Sequence, residues 1–102
     1  MHNGLNSNTT APFLPFGYVR VAGNITSAFA IGGFVSAVAG QTLRVYNPTR
    51  FPMTLVDEDP QSLPQNRIRT LRGADVVLPV GPSFATFLYD GADQRWILES
   101  TN

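Results

Sequence analysis

The stretch Ser83-Phe84-Ala85-Thr86-Phe87-Leu88-Tyr89-Asp90, then Gly91-Ala92-Asp93-Gln94, then Arg95-Trp96-Ile97-Leu98-Glu99, decides the fold class. Two runs rich in large apolar and aromatic side chains flank a loop of Asp and Gly, residues that accept the backbone angles of tight turns. The loop is too short to hold a helix, so the spacing predicts an antiparallel hairpin. In the second run Trp96 and Leu98 alternate with Arg95, Ile97 and Glu99, which puts the Trp side in the core. In the first run both faces are apolar, with Phe84 and Leu88 on one and Phe87 and Tyr89 on the other. A strand apolar on both faces needs two partners, either a second sheet plus a loop or its own sheet plus another chain, and Phe87 and Tyr89 are the candidates to face that other chain.

Working outward, Ile68 to Leu71 and Asp75 to Val80 precede the hairpin, joined by Arg72-Gly73-Ala74 and Gly81-Pro82. Together the four runs predict an antiparallel meander. Upstream lie Tyr18 to Ala22, Ile25 to Ile31, Phe34 to Val38, Thr42 to Tyr46 and Pro52 to Val56, with Gly32-Gly33 read as a two-residue hairpin turn. Asp57 to Asn66 has no usable period and is the longest expected loop. Adjacent glycines and β-branched residues argue against a helix over Ala28 to Ala39. The expectation is an all-β domain over residues 18–102, an antiparallel β-sandwich or barrel of jelly-roll-like form. Its core would hold Val45, Leu55, Ile68, Leu78, Leu88, Trp96 and Leu98.

Residues 1–17 read as an extended N-terminal arm. Its first ten residues lack the apolar content to offset their ordering entropy and are expected to be mobile. Pro12 and Pro15 bias the next seven toward extended backbone, and Phe13, Leu14 and Phe16 would anchor them on a neighbouring subunit.

At 102 residues the chain has room for one core. Charged residues make up 14% against about 25% in ordinary soluble domains, while hydrophobic residues stand at 43%. Such a surface is neutral and associates, which suits a homo-oligomer or a larger assembly. Seven arginines balance seven acids, so sequence-independent nucleic-acid binding lacks its driving term and is not expected. No apolar run of about 18 residues predicts a membrane span. The start of the chain has neither the basic nor the apolar segment of a secretory signal.

Catalytic constellations are nearly absent, and no enzyme activity or cofactor is expected. The single His2 sits in the terminus, without a neighbour to orient it as a base or to share a metal. There is no Cys, and with no Lys a phosphate-binding loop is excluded. Asp57, Glu58 and Asp59 are contiguous, and Asp90 and Asp93 suit a turn, so both groups read as loops in preference to cation sites. Arg67, Arg69 and Arg72 follow the acidic group closely. Arginine favours bidentate pairing, so these three are candidate assembly contacts that would meet the acidic patch of a neighbour.

Gly40-Gln41-Thr42-Leu43-Arg44-Val45-Tyr46-Asn47 and Met53 to Val56 are followed by Asn66-Arg67-Ile68 and by Gly73 to Leu78. Val80-Gly81-Pro82-Ser83, Phe87-Leu88-Tyr89-Asp90 and Arg95-Trp96 complete the order. This order and spacing resembles a β-module of tailed-phage virion proteins, found in capsid decoration proteins, head fibres and tail fibres. The resemblance implies a symmetric, commonly trimeric virion component with an N-terminal attachment segment. It also implies a location on the capsid surface after synthesis in the host cytoplasm. The expected function is therefore a capsid decoration (cement) protein that binds the major capsid protein in the assembled shell. The alternative is a tail-fibre or head-fibre adaptor that binds host glycan, with Tyr18, Tyr46 and Trp96 as stacking platforms.

Overall fold

Each strand forms where apolar and polar side chains alternate, because the period of two sends one set to a shared interior and leaves the other outside. The computed structural model describes residues 1–9, 17–35 and 38–102, and within them nine strands follow in order. They are β1 (His2–Asn6), β2 (Tyr18–Arg20), β3 (Asn24–Ile31), β4 (Thr42–Asn47), β5 (Met53–Leu55), β6 (Ile68–Arg69), β7 (Val76–Leu78), β8 (Ser83–Asp90) and β9 (Arg95–Thr101). One short 3-10 turn, Pro64–Asn66, interrupts the long loop before β6. The all-β class holds, and no α-helix occurs among the described residues.

Two mixed sheets share the strands. Their orders are β1-β3-β5-β7 and β2-β4-β8-β9-β6. From β1 to β8 the chain therefore crosses to the other sheet at every step. The pairs β1/β3, β3/β5, β2/β4 and β6/β9 are parallel, while β4/β8, β5/β7 and β8/β9 are antiparallel. This winding is solenoid-like, and it corrects the expected purely antiparallel jelly-roll order. The expected four-strand meander reduces to one hairpin, β8/β9. The intervening β7 joins the other sheet, and β6 lies parallel to β9.

A single apolar cluster fills the space between the sheets. Phe29, Ile31, Met53, Leu55 and Leu78 come from the four-stranded sheet, and Leu43, Val45, Ala85, Phe87, Trp96 and Leu98 from the five-stranded one. Phe34 joins them from the segment after β3, with its ring edge-on to both Phe87 (centroids 5.6 Å apart) and Trp96 (5.9 Å). The Trp96 indole N–H donates to the Phe34 carbonyl, so the largest core side chain leaves no buried donor unmatched.

The pair Gly32-Gly33 does not make a hairpin turn. Gly33 bridges Arg67, and Phe34 bridges Thr9. A Cβ on Gly32 would collide with the Asp59 carboxylate, and one on Gly33 with the Asn66 carbonyl and the Ser62 hydroxyl. Close approach of the loop, not a turn, is what these glycines permit.

The start of the chain is also built in. Residues 2–6 form β1, parallel to β3, against the expectation of a mobile first ten residues. Polar clasps supply what the missing apolar content cannot. Asn3 accepts from the Thr26 and Ser27 amides, and the Asn6 side chain donates to the Ala30 carbonyl. Asn8 Oδ1 accepts from the Leu63 amide and from the Asn66 side chain, both at 2.8 Å. The rest of the expected arm, with Phe13, Leu14 and Phe16, lies outside the described residues.

Candidate functional site

The acidic run does not form a patch awaiting a neighbour, because its three carboxylates are spent inside the chain. Asp57 accepts from the Thr70 amide at 2.9 Å. Glu58 is held between two guanidinium groups, Arg95 Nε at 2.9 Å and Arg69 Nε at 3.0 Å, while Arg69 Nη1 reaches Asp93 at 3.0 Å. Burial works to raise the Glu58 pKa, but the hydrogen bonds from Arg95 and Arg69 outweigh it and hold the carboxyl below its usual range. The same contact with Glu58 raises the Arg69 pKa.

Asp59 is almost fully enclosed. Ser7 and Ser62 donate their hydroxyls to its Oδ2 at 2.6 and 2.9 Å, and the Gln61 amide donates to its Oδ1 at 3.0 Å. Burial again pushes the pKa up and is again outweighed, here by these donors and by the nearby Arg67 charge, so the group stays ionised below the usual Asp range. The Arg67 Nε donates to the Ser62 carbonyl and supports the same loop.

The expected assembly contacts thus separate. Arg67 and Arg69 brace the loop of their own chain, and Arg72 is exposed. Phe87 is wholly buried in the intramolecular core, and Tyr89 is 4% exposed with its hydroxyl donating to the Gln65 carbonyl. The partner-facing side assigned to β8 is therefore corrected: Phe87 and Tyr89 point inward, and Phe84 and Leu88 point outward. The reason is the second sheet, which covers the odd-numbered face. Burial raises the Tyr89 pKa, opposed by the charge of Arg95.

The outward faces of the two sheets differ in chemistry. On the four-stranded sheet, Leu5, Ala30, Thr54 and Val77 are successive cross-strand partners. Phe29 and Ile31, Met53 and Leu55, and Val76 and Leu78 are buried on either side of the last three, so Ala30, Thr54 and Val77 point outward. Thr26 and Ala28 extend this uncharged surface along β3. Val77 is 54% exposed.

On the five-stranded sheet, Arg20, Tyr46 and Phe84 are cross-strand partners on β2, β4 and β8. The Tyr46 and Phe84 rings stack at 4.8 Å, and the Arg20 guanidinium lies 5.4 Å from the centre of the Tyr46 ring. A ring separation equal to the strand spacing means that the rings stand up from the sheet with their edges outward. The next row is Tyr18, Arg44, Thr86 and Ser100. Among the described residues neither Arg20 nor Arg44 has an ion-pair partner.

This ladder escaped the sequence reading. Its signal was the alternation of Arg44 and Tyr46 with Leu43 and Val45, together with Tyr18-Val19-Arg20 upstream. Of the three proposed stacking platforms, Trp96 is buried in the core, Tyr46 is covered on its ring faces by Arg20 and Phe84, and Tyr18 is exposed.

Among the described residues no group of three or more His, Cys, Asp or Glu is arranged to hold a metal ion, and no helix is long and apolar enough to cross a membrane. No family model matches the chain, and no curated protein matches it.

Proposed function

We propose that this is a structural protein of a virion, a capsid decoration protein that binds the assembled shell as a homo-oligomer and stabilises it. Its two sheets enclose one core and present opposite outer surfaces. The observation that carries the reading is the uncharged row Leu5, Ala30, Thr54 and Val77 on the outer face of the four-stranded sheet. Burying such a surface strips no charge of its water, so its apolar contacts are offset only by the smaller cost of covering the Thr54 hydroxyl. A ligand that binds only the assembled shell stabilises that shell by mass action.

Co-sedimentation with shells built from the cognate major capsid protein tests the proposal. The unaltered protein should pellet with shells at micromolar concentration, and Val77→Lys or Thr54→Lys should lower its affinity at least tenfold while leaving the fold intact. Failure of the unaltered protein to pellet would sink the proposal. The fibre-adaptor reading keeps one exposed ring, Tyr18, of its three platforms, and glycan binding by the isolated protein would favour it instead.

A further inference from the structure

Asn3-Gly4 is the one Asn-Gly dipeptide of the sequence, and it lies on β1, an edge strand of the four-stranded sheet. The parallel ladder with β3 is irregular between His2 and Gly4, so this peptide unit sits where main-chain pairing is interrupted. Side chains hold it instead. Asn3 Oδ1 accepts from the Thr26 and Ser27 amides at 3.0 and 3.2 Å, and Asn3 Nδ2 donates to the Thr26 hydroxyl at 2.9 Å. His2 Nδ1 donates to the Asn3 carbonyl at 2.7 Å, and the Asn6 side-chain amide donates to the Gly4 carbonyl at 3.2 Å. Asn3 and Gly4 are both exposed, and a Cβ on Gly4 would meet nothing within 4 Å.

We propose that Asn3 is a self-modification site, which deamidates through a cyclic imide whenever β1 lifts away from β3. The Gly4 main-chain nitrogen gives up its proton to solvent base and attacks Asn3 Cγ. A new N–C bond forms, the Cγ–Nδ2 bond breaks, and Nδ2 takes a proton from water and leaves as ammonia. Water then opens the imide at either carbonyl to give aspartate or isoaspartate, and no other reactant is needed. Gly4 makes the attack easy, because no side chain shields its nitrogen. The clasp makes it slow, because Asn3 Cγ is held across the gap to β3 and cannot turn back on Gly4 until those hydrogen bonds open. An edge segment fastened by exposed polar contacts opens at low free energy, so the reaction runs in the native protein at a rate set by the open fraction. Aspartate can still accept from both amides, whereas isoaspartate lengthens the main chain by one atom and loses register with β3. Either product sets a negative charge at the β1 edge of the face assigned to shell binding. That consequence rests on the proposed function; the modification itself does not.

Peptide mapping by mass spectrometry, on the full chain incubated without capsids at about pH 8 and 37 °C, tests it. The expected result is a gain of about one dalton at Asn3, ahead of every other asparagine, and at least tenfold slower in the folded chain than in the chain unfolded in urea. Thr26→Val removes the hydroxyl partner of Nδ2 at an exposed position, and should speed the reaction of the folded chain at least threefold while leaving the rate in urea unchanged. The comparison of folded with unfolded unaltered chain stands whether or not that variant folds. A folded chain that reacts as fast as the unfolded one, or that shows no product within a month, would overturn the proposal. So would a first product at another asparagine, or a folded-state rate that ignores Thr26→Val.

Discussion

Asp59 shows how one residue can fasten two distant parts of the chain. Its carboxylate receives Ser7 from the segment after β1 and Ser62 and Gln61 from its own loop, with Gly32 pressed against it. A carboxyl whose folded pKa lies below its unfolded value adds stability that is fully present above the unfolded value, near 4, and is lost as pH falls through the folded one. Asp59 and Glu58 both have lowered pKa values, so stability should fall as the pH drops below ~4. Asp59→Asn keeps one acceptor and removes the charge. It should cost about 1–3 kcal/mol at pH 7 and flatten the acid limb of a urea-melt stability profile. Gly32→Ala introduces a Cβ where the carboxylate already sits, and should lower stability by about 1–3 kcal/mol in the same assay. The sequence displayed the two glycines but not their cause, because the groups that require them lie on the later loop, Asp59 for Gly32 and Ser62 with Asn66 for Gly33.

At the scale of the element, β8 shows what alternation can and cannot say. Its strand character and its hairpin with β9 were legible, as were β3, β4, β5 and the Trp96 face of β9, because each has a clear period of two. Which face of β8 is interior was not legible, since both faces carry aromatic rings. That choice belongs to the second sheet, which reaches it through the winding of the chain. The core residues Val45, Leu55, Ile68, Leu78, Trp96 and Leu98 were correctly read, and Leu88 was misplaced with its face. Parallel pairing was equally hidden, because β1 and β3 are joined by contacts that no local turn signals. The face assignment predicts that Phe87→Ala costs about 3–5 kcal/mol in urea unfolding, whereas Phe84→Ala costs under about 1.5 kcal/mol. Equal losses would contradict it.

Taken whole, the molecule keeps its internal charge pairs at the loop that closes the core. The acidic run that suggested an intermolecular patch is consumed by Arg69, Arg95, Thr70 and the two serines. What remains outside is one uncharged sheet and one sheet with arginines, ring edges and a distant glutamate. The low charge content led to the expectation of an associating surface, and the register shows which residues stand on each outer face. Differential scanning calorimetry of cognate capsid shells, with and without saturating protein, tests the proposed role most directly. The shell transition should move to higher temperature and level off at a fixed number of bound copies per capsid subunit. A transition unmoved at concentrations well above micromolar would contradict a decoration role.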